Sequence, residues 1–278
     1  MRAHGLHAHD FLLGEIAERL ADRLSDIART FPRALELGAR DTILARTLKG
    51  RGGIETLIQS YLSPGEALRA RHSEARVVAD EEALPFKTEC FDAILSNLAL
   101  HWVNDLPGAL AQIRSSLRPD GLFLASLFGA GTLHELRTSL MEAELAETGG
   151  ASPRVSPFAD LRDAAGLLQR AGLALPVADL DTITVTYGDL FALLRDLRGM
   201  AETNALVDRL KRPTRRTVFA RAAAIYQERF GTPDGRLPAT FQILFLTGWA
   251  PHESQQQPAR RGSGRTSLKD VLGSRREN

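Results

Sequence analysis

Short apolar runs alternate with amphipathic segments through the first half of the chain, and this alternation restricts the possible folds more than any other feature. Runs with the length of buried strands lie at residues 34–38, 53–60, 75–79, 91–95 and 121–128. Helical patterns lie between them at 41–49, 64–71 and 106–117. Strands that alternate with helices predict an α/β fold, in which a parallel sheet is covered by helices on both faces.

The second half of the chain does not continue this regular alternation of strands and helices. Helical patterns occur at residues 132–147, 159–171, 190–200 and 214–230, whereas β-branched alternation at 180–187 and an apolar run at 239–250 predict two further strands. A helical stripe at 10–30 precedes the first strand. We therefore predict four parts: an N-terminal helix (1–31), a sheet domain (32–187 and 239–250), a helical lid insert (188–238) and a polar, mobile tail (251–278).

Charge and cysteine content exclude several classes of protein. The net charge of +1 provides no general attraction for nucleic acid, so no nucleic-acid partner is expected. The single cysteine, Cys90, excludes an internal disulfide and fits a reducing compartment. No apolar run has the length of a membrane span, and the N-terminus lacks the apolar core of a secretory signal. These features predict a cytoplasmic protein with no transmembrane segment.

Residues 77–126 carry an ordered set of motifs, "VVADEEALPFKTECFDAILSNLALHWVNDLPGALAQIRSSLRPDGLFLAS". An acidic pair follows the third strand, then come "LPF", "FD" at the start of the fourth strand, and "LRPDG" after a helix. This set resembles the class I S-adenosylmethionine-dependent methyltransferases. The resemblance implies a Rossmann-like, mostly parallel sheet of seven strands with an antiparallel last strand, and S-adenosylmethionine as the cofactor.

Four later segments narrow the resemblance: "LFGAGTLHELRTSL", "SPRVSPFADLRDAAGLLQRAG", "LLRDLRGMAETNAL" and "FQILFLTGWAPHESQQQPARRGS". Together they are similar to the methyltransferase-fold assembly factor of respiratory complex I, an arginine hydroxylase, and to its bacterial relatives. The similarity extends over residues 11–272. A more distant one is to the malonyl-carrier-protein methyltransferase of biotin synthesis. The closer resemblance implies a protein partner, an iron–sulfur subunit of complex I.

The resemblance also implies which residues would hold the cofactor. Glu36 and Gly38 occupy the end of the first strand and the turn after it, where glycine lets the backbone approach the cofactor. Asp80 and Glu81 follow the third strand, and Asn97 ends the fourth. These five residues are the predicted cofactor-binding set.

Three residues depart from the family's cofactor pattern. Arg40 and Thr42 replace the later glycines of the first loop, and Ser60, with Tyr61, stands where the family has an acid that binds the ribose. A lost hydrogen bond to a charged group weakens binding by about 1.5–3 kcal/mol, which corresponds to roughly tenfold to a hundredfold in affinity. The sequence therefore leaves two outcomes open: S-adenosylmethionine binds weakly, or it does not bind and Glu36 and Gly38 only shape the end of a strand.

Residues beyond the cofactor loop are candidates for contacting the substrate. His101 follows the fourth strand and suits a general base or a group that orients a substrate, while the adjacent Trp102 is expected to pack in the core. Arg154, Arg198 and Asn204 match segments of the family that cover the cleft, and we predict that they bind the substrate. The alternative for each is an ordinary surface or packing role.

Both ends of the chain carry polar clusters. The first contains three histidines and a carboxylate: His4, His7, His9 and Asp10. Non-haem iron is held by two histidines and one carboxylate, but a solvated tail is the preferred interpretation and no metal is predicted. The second resembles the ending of the family and is either a mobile basic end or a segment that docks on a partner: His252, Ser254, Gln255, Arg261 and Ser263.

Three functions remain open from the sequence. The first is an enzyme that modifies a complex I subunit or a related protein, and Asp80 and His101 favour it. The second is a non-catalytic assembly factor with a degenerate cofactor site, which Arg40, Thr42 and Ser60 favour. The third is an O-methyltransferase that acts on a carrier protein or a small molecule.

Overall fold

The sheet has seven strands in the order β3-β2-β1-β4-β5-β7-β6. The computed structural model describes residues 9–40, 42–70 and 75–256. The strands are β1 (Arg33–Glu36), β2 (Thr56–Tyr61), β3 (Ala75–Val78), β4 (Phe91–Asn97), β5 (Leu117–Phe128), β6 (Ala174–Tyr187) and β7 (Leu237–Trp249). All pairs from β3 to β5 are parallel, while β7 is antiparallel to both β5 and β6. The predicted α/β fold class, with seven strands and an antiparallel last strand, is confirmed.

Helices cover both faces of the sheet. Those described are α1 (Phe11–Ser25), α2 (Ile43–Thr47), α3 (Pro64–Arg69), α4 (Leu106–Ser116), α5 (His134–Thr148), α6 (Leu161–Arg170), α7 (Leu190–Gly199) and α8 (Arg216–Phe230). Side chains alternate along the central strands, so Ala34 joins the core with α1, α5 and α8 while Leu35 joins the core with α4 and α6. The apolar runs of the central strands β1, β4 and β5 are thus buried on both faces over most of their length, whereas β2 and β3 are partly exposed.

The elements differ from the predicted ranges mainly at their ends. β5 begins at Leu117 rather than at 121, because Leu117 already pairs with Phe91 at the start of β4. β6 begins at Ala174 rather than at 180, because it pairs with β7 back to Trp249. Half-buried and exposed residues alternate along this edge strand, so its outer half lacks the apolar signal of a buried strand. Pairing with a neighbour, rather than local pattern, sets both boundaries.

The segment between β6 and β7, residues 188–236, contains α7, an irregular stretch at 201–215 and α8. Helix α8 packs against α5, and α7 contributes Leu190, Leu193 and Leu197 to the core. The irregular stretch returns to the carboxyl end of β1, where Glu202 contacts Arg40. The segment therefore contributes residues to the edge of the sheet at which ligands bind in open α/β folds.

Candidate functional site

The first loop leaves β1 through a tight turn that is held by hydrogen bonds to Ser60. Gly38 has a φ of +70°, a conformation that favours glycine. Its N–H donates to Ser60 Oγ at 3.0 Å, and the N–H of Ala39 donates to the Ser60 carbonyl at 2.8 Å. The turn lies where β1 separates β2 from β4, which is the point at which connections run to opposite sides of the sheet.

Glycine is also required at this turn because two neighbours approach it closely. A Cβ atom at position 38 would lie 2.5 Å from Cβ of Ala99 and 2.8 Å from Oε1 of Glu81. The Glu81 carboxylate, from the loop after β3, therefore lies directly against the first loop. Burial raises the pKa of Glu81, and the negative charges of Asp80 and Glu66 add to that effect. Gly38 and Glu81 therefore lie side by side at the carboxyl end of the sheet.

The end of β2 lacks the ribose-binding acid and uses its residues for structure. Ser60 is completely buried; its hydroxyl accepts from Gly38 and donates to the Glu36 carbonyl at 3.3 Å. Tyr61 is also buried and packs with Ala39 and Ala70. Of the positions that would hold S-adenosylmethionine, this edge thus keeps the glycine turn, packed against Ala99 and Glu81, but offers no carboxylate for the ribose at the end of β2.

The remaining predicted cofactor residues take different positions. Glu36 is buried and accepts a hydrogen bond of 2.7 Å from Gln59 Nε2. Asp80 is exposed, and its Oδ1 accepts from the N–H of Glu82 at 2.9 Å. Asn97 joins α1 to β5, since its amide donates to the Leu13 carbonyl at 3.0 Å and accepts from Ser126 Oγ at 3.0 Å. Gly38 and Glu81 are thus brought together, while Asn97 faces the core shared with α1.

A buried charge cluster lies beside the glycine turn. Arg40 reaches across to the segment that follows α7, where its Nη1 contacts Glu202 Oε1 and donates to the Met200 carbonyl at 3.2 Å. The other carboxylate oxygen of Glu202 lies 3.2 Å from His101 Nε2. The side chain of Glu202 is 9% exposed and that of His101 is 5% exposed. Two charges and an imidazole are therefore held together largely away from water.

Burial lowers the pKa of His101, although Glu202 opposes this, so the imidazole is neutral at neutral pH. Burial alone would raise the pKa of Glu202, but the hydrogen bond from His101 and the charge of Arg40 hold it below its usual value. A neutral His101 that donates from Nε2 leaves Nδ1 as an acceptor. Among the described residues, Nδ1 has no hydrogen-bond partner. His101 thus keeps a buried basic nitrogen available.

A cavity of about 980 Å³ opens on the other side of His101. Its walls are residues 101–104, the irregular loop 151–158 and the stretch 205–208, with Ala130, Arg137 and Met141 between them. Trp102 belongs to this wall and is 36% exposed, so the expectation that it packs in the core is wrong. The short helical turn that begins at Leu100 buries Leu100 instead and presents Trp102 to the cavity. A smaller cavity, of about 410 Å³, lies at the amino ends of β4 and β5.

The predicted substrate-binding residues separate into two groups. Arg154 lines the cavity but is held by Glu144, to which Nε and Nη2 donate at 3.0 and 2.6 Å, and by Thr214 at 2.7 Å. Asn204 donates to the Pro153 carbonyl at 2.7 Å and thereby joins the two walls. Arg198 is exposed on α7 and does not line this cavity. Arg154 and Asn204 thus lie together, and Arg198 lies apart.

The sequence interpretation did not find Glu202 or Glu144. Glu202 contacts Arg40 across 162 residues of chain, and no local pattern reports a contact of that separation. The sequence feature that could have indicated Glu202 was Arg40, because an arginine beside a buried turn requires an acidic partner. Glu144 lies on α5, where it resembles any other charged helix residue, and it is 5% exposed in the side chain. Its pKa is lowered because the bonds from Arg154 and Ser152 outweigh burial.

The ends of the chain are more structured than predicted where they are described. His9 and Asp10 are half-buried rather than solvated, because His9 contacts Asp196 on α7 at 2.5 Å. At the other end, Gln255 Nε2 donates to Asp120 Oδ1 at 2.9 Å, and His252 pairs with Ser254. His4, His7, Arg261 and Ser263 lie outside the described residues.

Within residues 9–40, 42–70 and 75–256, no group of three or more histidine, cysteine, aspartate or glutamate side chains is placed to hold a metal ion. In the same ranges no helix has the length and apolar content required to cross a membrane.

Residues 35–125 match the family model described as a methyltransferase domain. Two solved structures share the fold. They are the YcgJ protein of Bacillus subtilis (17% identical, TM-score 0.56, covering 85% of this chain and 98% of that one) and phosphoethanolamine N-methyltransferase 2 of Haemonchus contortus (13% identical, TM-score 0.53, covering 91% and 58%). The latter structure is a complex with S-adenosyl-L-methionine. At these identities the likeness establishes the fold alone.

The sequence relatives are much more similar. The arginine-hydroxylase NDUFAF5 of Danio rerio, a mitochondrial protein, is 44% identical over 95% of this chain and 82% of its own length. A malonyl-[acyl-carrier protein] O-methyltransferase of Xylella fastidiosa is 36% identical over 90% of this chain and 84% of its own length. With such identity over nearly all of both proteins, the chain belongs to the methyltransferase-fold family of the arginine-hydroxylase NDUFAF5.

Proposed function

We propose that this protein modifies or assists a protein client during assembly of respiratory complex I, and that the client is an iron–sulfur subunit. The observation that carries the proposal is the cavity of about 980 Å³ beside His101. It lies beyond the cofactor loop, and residues 151–158 of its walls belong to a segment on which the resemblance to the complex I factor rests. The 44% identity to NDUFAF5 supports the same assignment.

The proposal assigns the cavity walls to the client. Arg154 and Asn204 hold the two walls together, and we propose that the client lies across them and also contacts Arg198 on the exposed surface of α7. His101 is on the wall and is neutral, and its Nδ1 has no hydrogen-bond partner among the described residues. It is therefore suited to accept a proton from a bound group. Because this imidazole is already buried and neutral, no solvating water has to be removed from it before it accepts the proton.

For the cofactor, we propose weak binding of S-adenosylmethionine over Gly38, next to Glu81 and Asp80. This cofactor supplies a methyl group on a positively charged sulfur when it is bound. The raised pKa of Glu81 reflects a carboxylate that is partly removed from water, and a nearby positive charge would stabilise it. Tyr61 and Ser60 leave the ribose without an acidic partner, and this is the reason for expecting low affinity. We propose a cytoplasmic location, although the named NDUFAF5 relatives are mitochondrial.

Two alternatives have observations of their own. The Arg40–Glu202 pair beside the glycine turn favours an assembly factor that no longer uses the cofactor. The 36% identity to a malonyl-[acyl-carrier protein] O-methyltransferase favours an enzyme of that class. A thermal-shift titration with S-adenosylmethionine separates the first alternative, because a ligand that binds the folded state alone raises Tm.

The main proposal is tested in a strain from which the gene is deleted. We expect a loss of assembled complex I that the wild-type gene restores. The Arg198→Glu variant should fail to restore it, while its Tm stays close to that of the wild type, because Arg198 is exposed and a charge reversal there changes the client surface rather than the core. Normal complex I together with a requirement for biotin would move the assignment to the carrier-protein methyltransferase.

A further inference from the structure

Exposed cations are concentrated in the irregular stretch after α7 and at the start of α8. Asp208 is the one acidic residue between Glu202 and Glu228. The net charge of the whole chain is only +1, so this concentration is local and is not a general property of the surface. We call its five exposed members the basic rim: Arg209, Lys211, Arg212, Arg215 and Arg216.

The basic rim lacks the acidic partners that other cations of the same helix have. Further along α8, Arg221 forms an ion pair with Glu147 of α5. The pKa of Glu147 is lowered mainly by Thr217 and Arg221, and Arg215 adds a smaller effect from a longer distance. Over the part of the chain that the structure describes, no side chain of the basic rim forms an ion pair. The rim therefore presents positive charge that the fold does not neutralise.

Two residues of the rim also lie at the end of a helix that disfavours cations. Helix α8 begins at Arg216, the N-cap residue Arg215 makes no side-chain capping bond, and the first turn contains no acidic residue. Because the amino end of a helix carries a partial positive charge, an acidic side chain stabilises it and a basic one does not. Helix stability thus gives no reason for arginine at these two positions.

The basic rim borders the cavity beside His101. The residues immediately before the rim, 205–208, line that cavity. Arg209 Nη1 donates to the Leu206 carbonyl at 2.8 Å, and Thr214 accepts from Arg154 of the opposite wall at 2.7 Å. The rim is therefore fixed to the cavity wall on both sides of Lys211 and Arg212.

Positive charge continues from the rim into the cavity at Arg137. Its guanidinium donates to three carbonyls, those of Ala130 at 3.4 Å, Thr132 at 3.4 Å and Ser156 at 3.5 Å. These bonds are long for N–H···O, and they leave N–H groups of the guanidinium without an acceptor among residues 9–40, 42–70 and 75–256. Arg154, in contrast, is neutralised by a carboxylate. Arg137 is thus able to bind a negative group inside the cavity.

We propose that the client binds this face through an acidic segment, whose carboxylates lie along the basic rim and reach Arg137 inside the cavity. This inference rests on the proposed function, since it requires a protein client at the cavity. A carboxylate matches a guanidinium in shape and charge. A bilayer or a nucleic-acid duplex is also negative, but both are too broad to bring that charge to Arg137, whereas a single peptide chain can enter.

The rim is tested by the binding of labelled, end-blocked hexaglutamate, with hexaglutamine as the uncharged counterpart. The variant is Arg212→Glu with Arg216→Glu. The matched control is Arg69→Glu with Arg170→Glu, which reverses two exposed arginines outside the rim and changes the net charge equally. We expect the rim variant to bind hexaglutamate at least about tenfold more weakly than the wild type, because attractive contacts become repulsive. The control should lose less than about threefold, since salt screens distant charges.

Stability separates a loss of binding from a loss of folding. Arg216→Glu places an acidic residue at the start of α8, where it is favourable, so the Tm of the rim variant should equal or exceed that of the wild type. If the reversal prevents folding, Arg212→Gln with Arg216→Gln should show a smaller loss of hexaglutamate binding. Equal weakening in the rim variant and in the control would overturn the proposal.

The part of Arg137 is tested by Arg137→Gln and Arg137→Lys. Arg137→Gln should weaken the binding of hexaglutamate and leave that of hexaglutamine unchanged. Arg137→Lys should recover part of the loss, because lysine keeps the charge and lacks the planar fork. An equal change for both peptides would show that Arg137 only supports the wall, and would overturn its assignment.

Other outcomes separate this inference from its rivals and from the proposed function. Rim-dependent binding to phosphatidylglycerol vesicles or to duplex DNA, with no binding of hexaglutamate, would overturn the acidic segment in favour of a membrane or a nucleic acid. If the deletion strain lacks complex I and the rim variant restores it as fully as the control does, the acidic segment is rejected and the proposed function is kept. Rim-dependent binding of hexaglutamate in a protein whose deletion leaves complex I intact would retain the acidic segment and reject the complex I assignment.

Discussion

The two sides of His101 are built in opposite ways: we call the side proposed to hold S-adenosylmethionine the cofactor side, and the side proposed to hold the client the client side. On the cofactor side, the glycine turn is crowded by Ala99 and Glu81, and the neighbouring space is filled by the Arg40–Glu202 pair. On the client side, two irregular walls enclose about 980 Å³ and expose Trp102 and Met141. Ion pairs occur on both sides, but Arg40 and Glu202 fill a space, whereas Arg154 and Glu144 hold a space open. The difference teaches that an ion pair can close one side of a buried histidine and support a cavity on the other.

The largest effect should come from breaking the ion pair that holds the client side open. Arg154→Ala leaves the Glu144 carboxylate, 5% exposed, with Ser152 as its one remaining partner among the described residues. Because an uncompensated buried charge is costly, we expect unfolding in urea to require about 3 kcal/mol less free energy. Arg198→Ala removes an exposed arginine from α7 and should change stability by no more than about 0.5 kcal/mol. Equal losses in the two variants would show that the Glu144 pair does not support the wall.

A smaller effect should come from filling the cofactor side further. Gly38→Ala places a Cβ 2.5 Å from Ala99 and 2.8 Å from Glu81. The matched control is Gly50→Ala, because Gly50 has a similar φ of +78° but no atom within 4 Å of the added Cβ. Both variants share the strain of a left-handed residue, so their difference in unfolding free energy isolates crowding, and we expect about 1–3 kcal/mol. Equal losses of unfolding free energy in the two variants would mean that the turn accommodates the added Cβ without crowding.

The smallest effect concerns His101, which lies between the two sides, and the change of stability with pH. The pKa of His101 is lowered in the folded protein, so the unfolded chain binds its proton first as the pH falls. The contribution of His101 to stability is therefore complete above the unfolded pKa of about 6.5 and is lost as the pH falls towards the lower folded pKa. The loss is about 1.4 kcal/mol for each pH unit that separates the two pKa values. The pKa of Glu202 is held below its usual value by His101 and Arg40.

The measurement is the free energy of unfolding at a series of pH values, for the wild type and for His101→Gln. The wild type should lose stability faster on acidification from about pH 7 to pH 5, the interval around the ordinary histidine pKa. Parallel profiles would contradict the picture of a neutral imidazole that resists protonation, and would remove the argument that His101 keeps a basic nitrogen available.

The parts of the molecule that were predictable are those encoded by neighbouring residues. The alternation of strands and helices specified the sheet, and Gly38 after a buried strand specified the turn. The end of β6 furthest from Tyr187 was missed because half of that strand faces outward and lacks an apolar pattern. Tertiary pairing overrides local pattern at such edges.

The candidate site was less predictable because its decisive contacts join residues that are far apart in the sequence. Trp102 was misassigned since a tryptophan after a strand usually packs inward, and only the course of the loop 151–158 reveals the cavity beside it. Glu202 belongs to no sequence motif, and its role becomes evident only from its contact with Arg40. The predicted roles of Arg154, Arg198 and Asn204 in binding, and of the cofactor residues, remain predictions.

The register of the last two strands has a consequence for how this architecture can diversify. Tyr187 pairs directly with Leu237, so the chain leaves the sheet and returns to it on the same rung of one antiparallel ladder. A segment attached at two adjacent points can be lengthened, shortened or exchanged without shifting the pairing of any other strand. Residues 188–236 can therefore change in length without altering the register of the sheet, provided that the contacts of α7 and α8 with the core are kept.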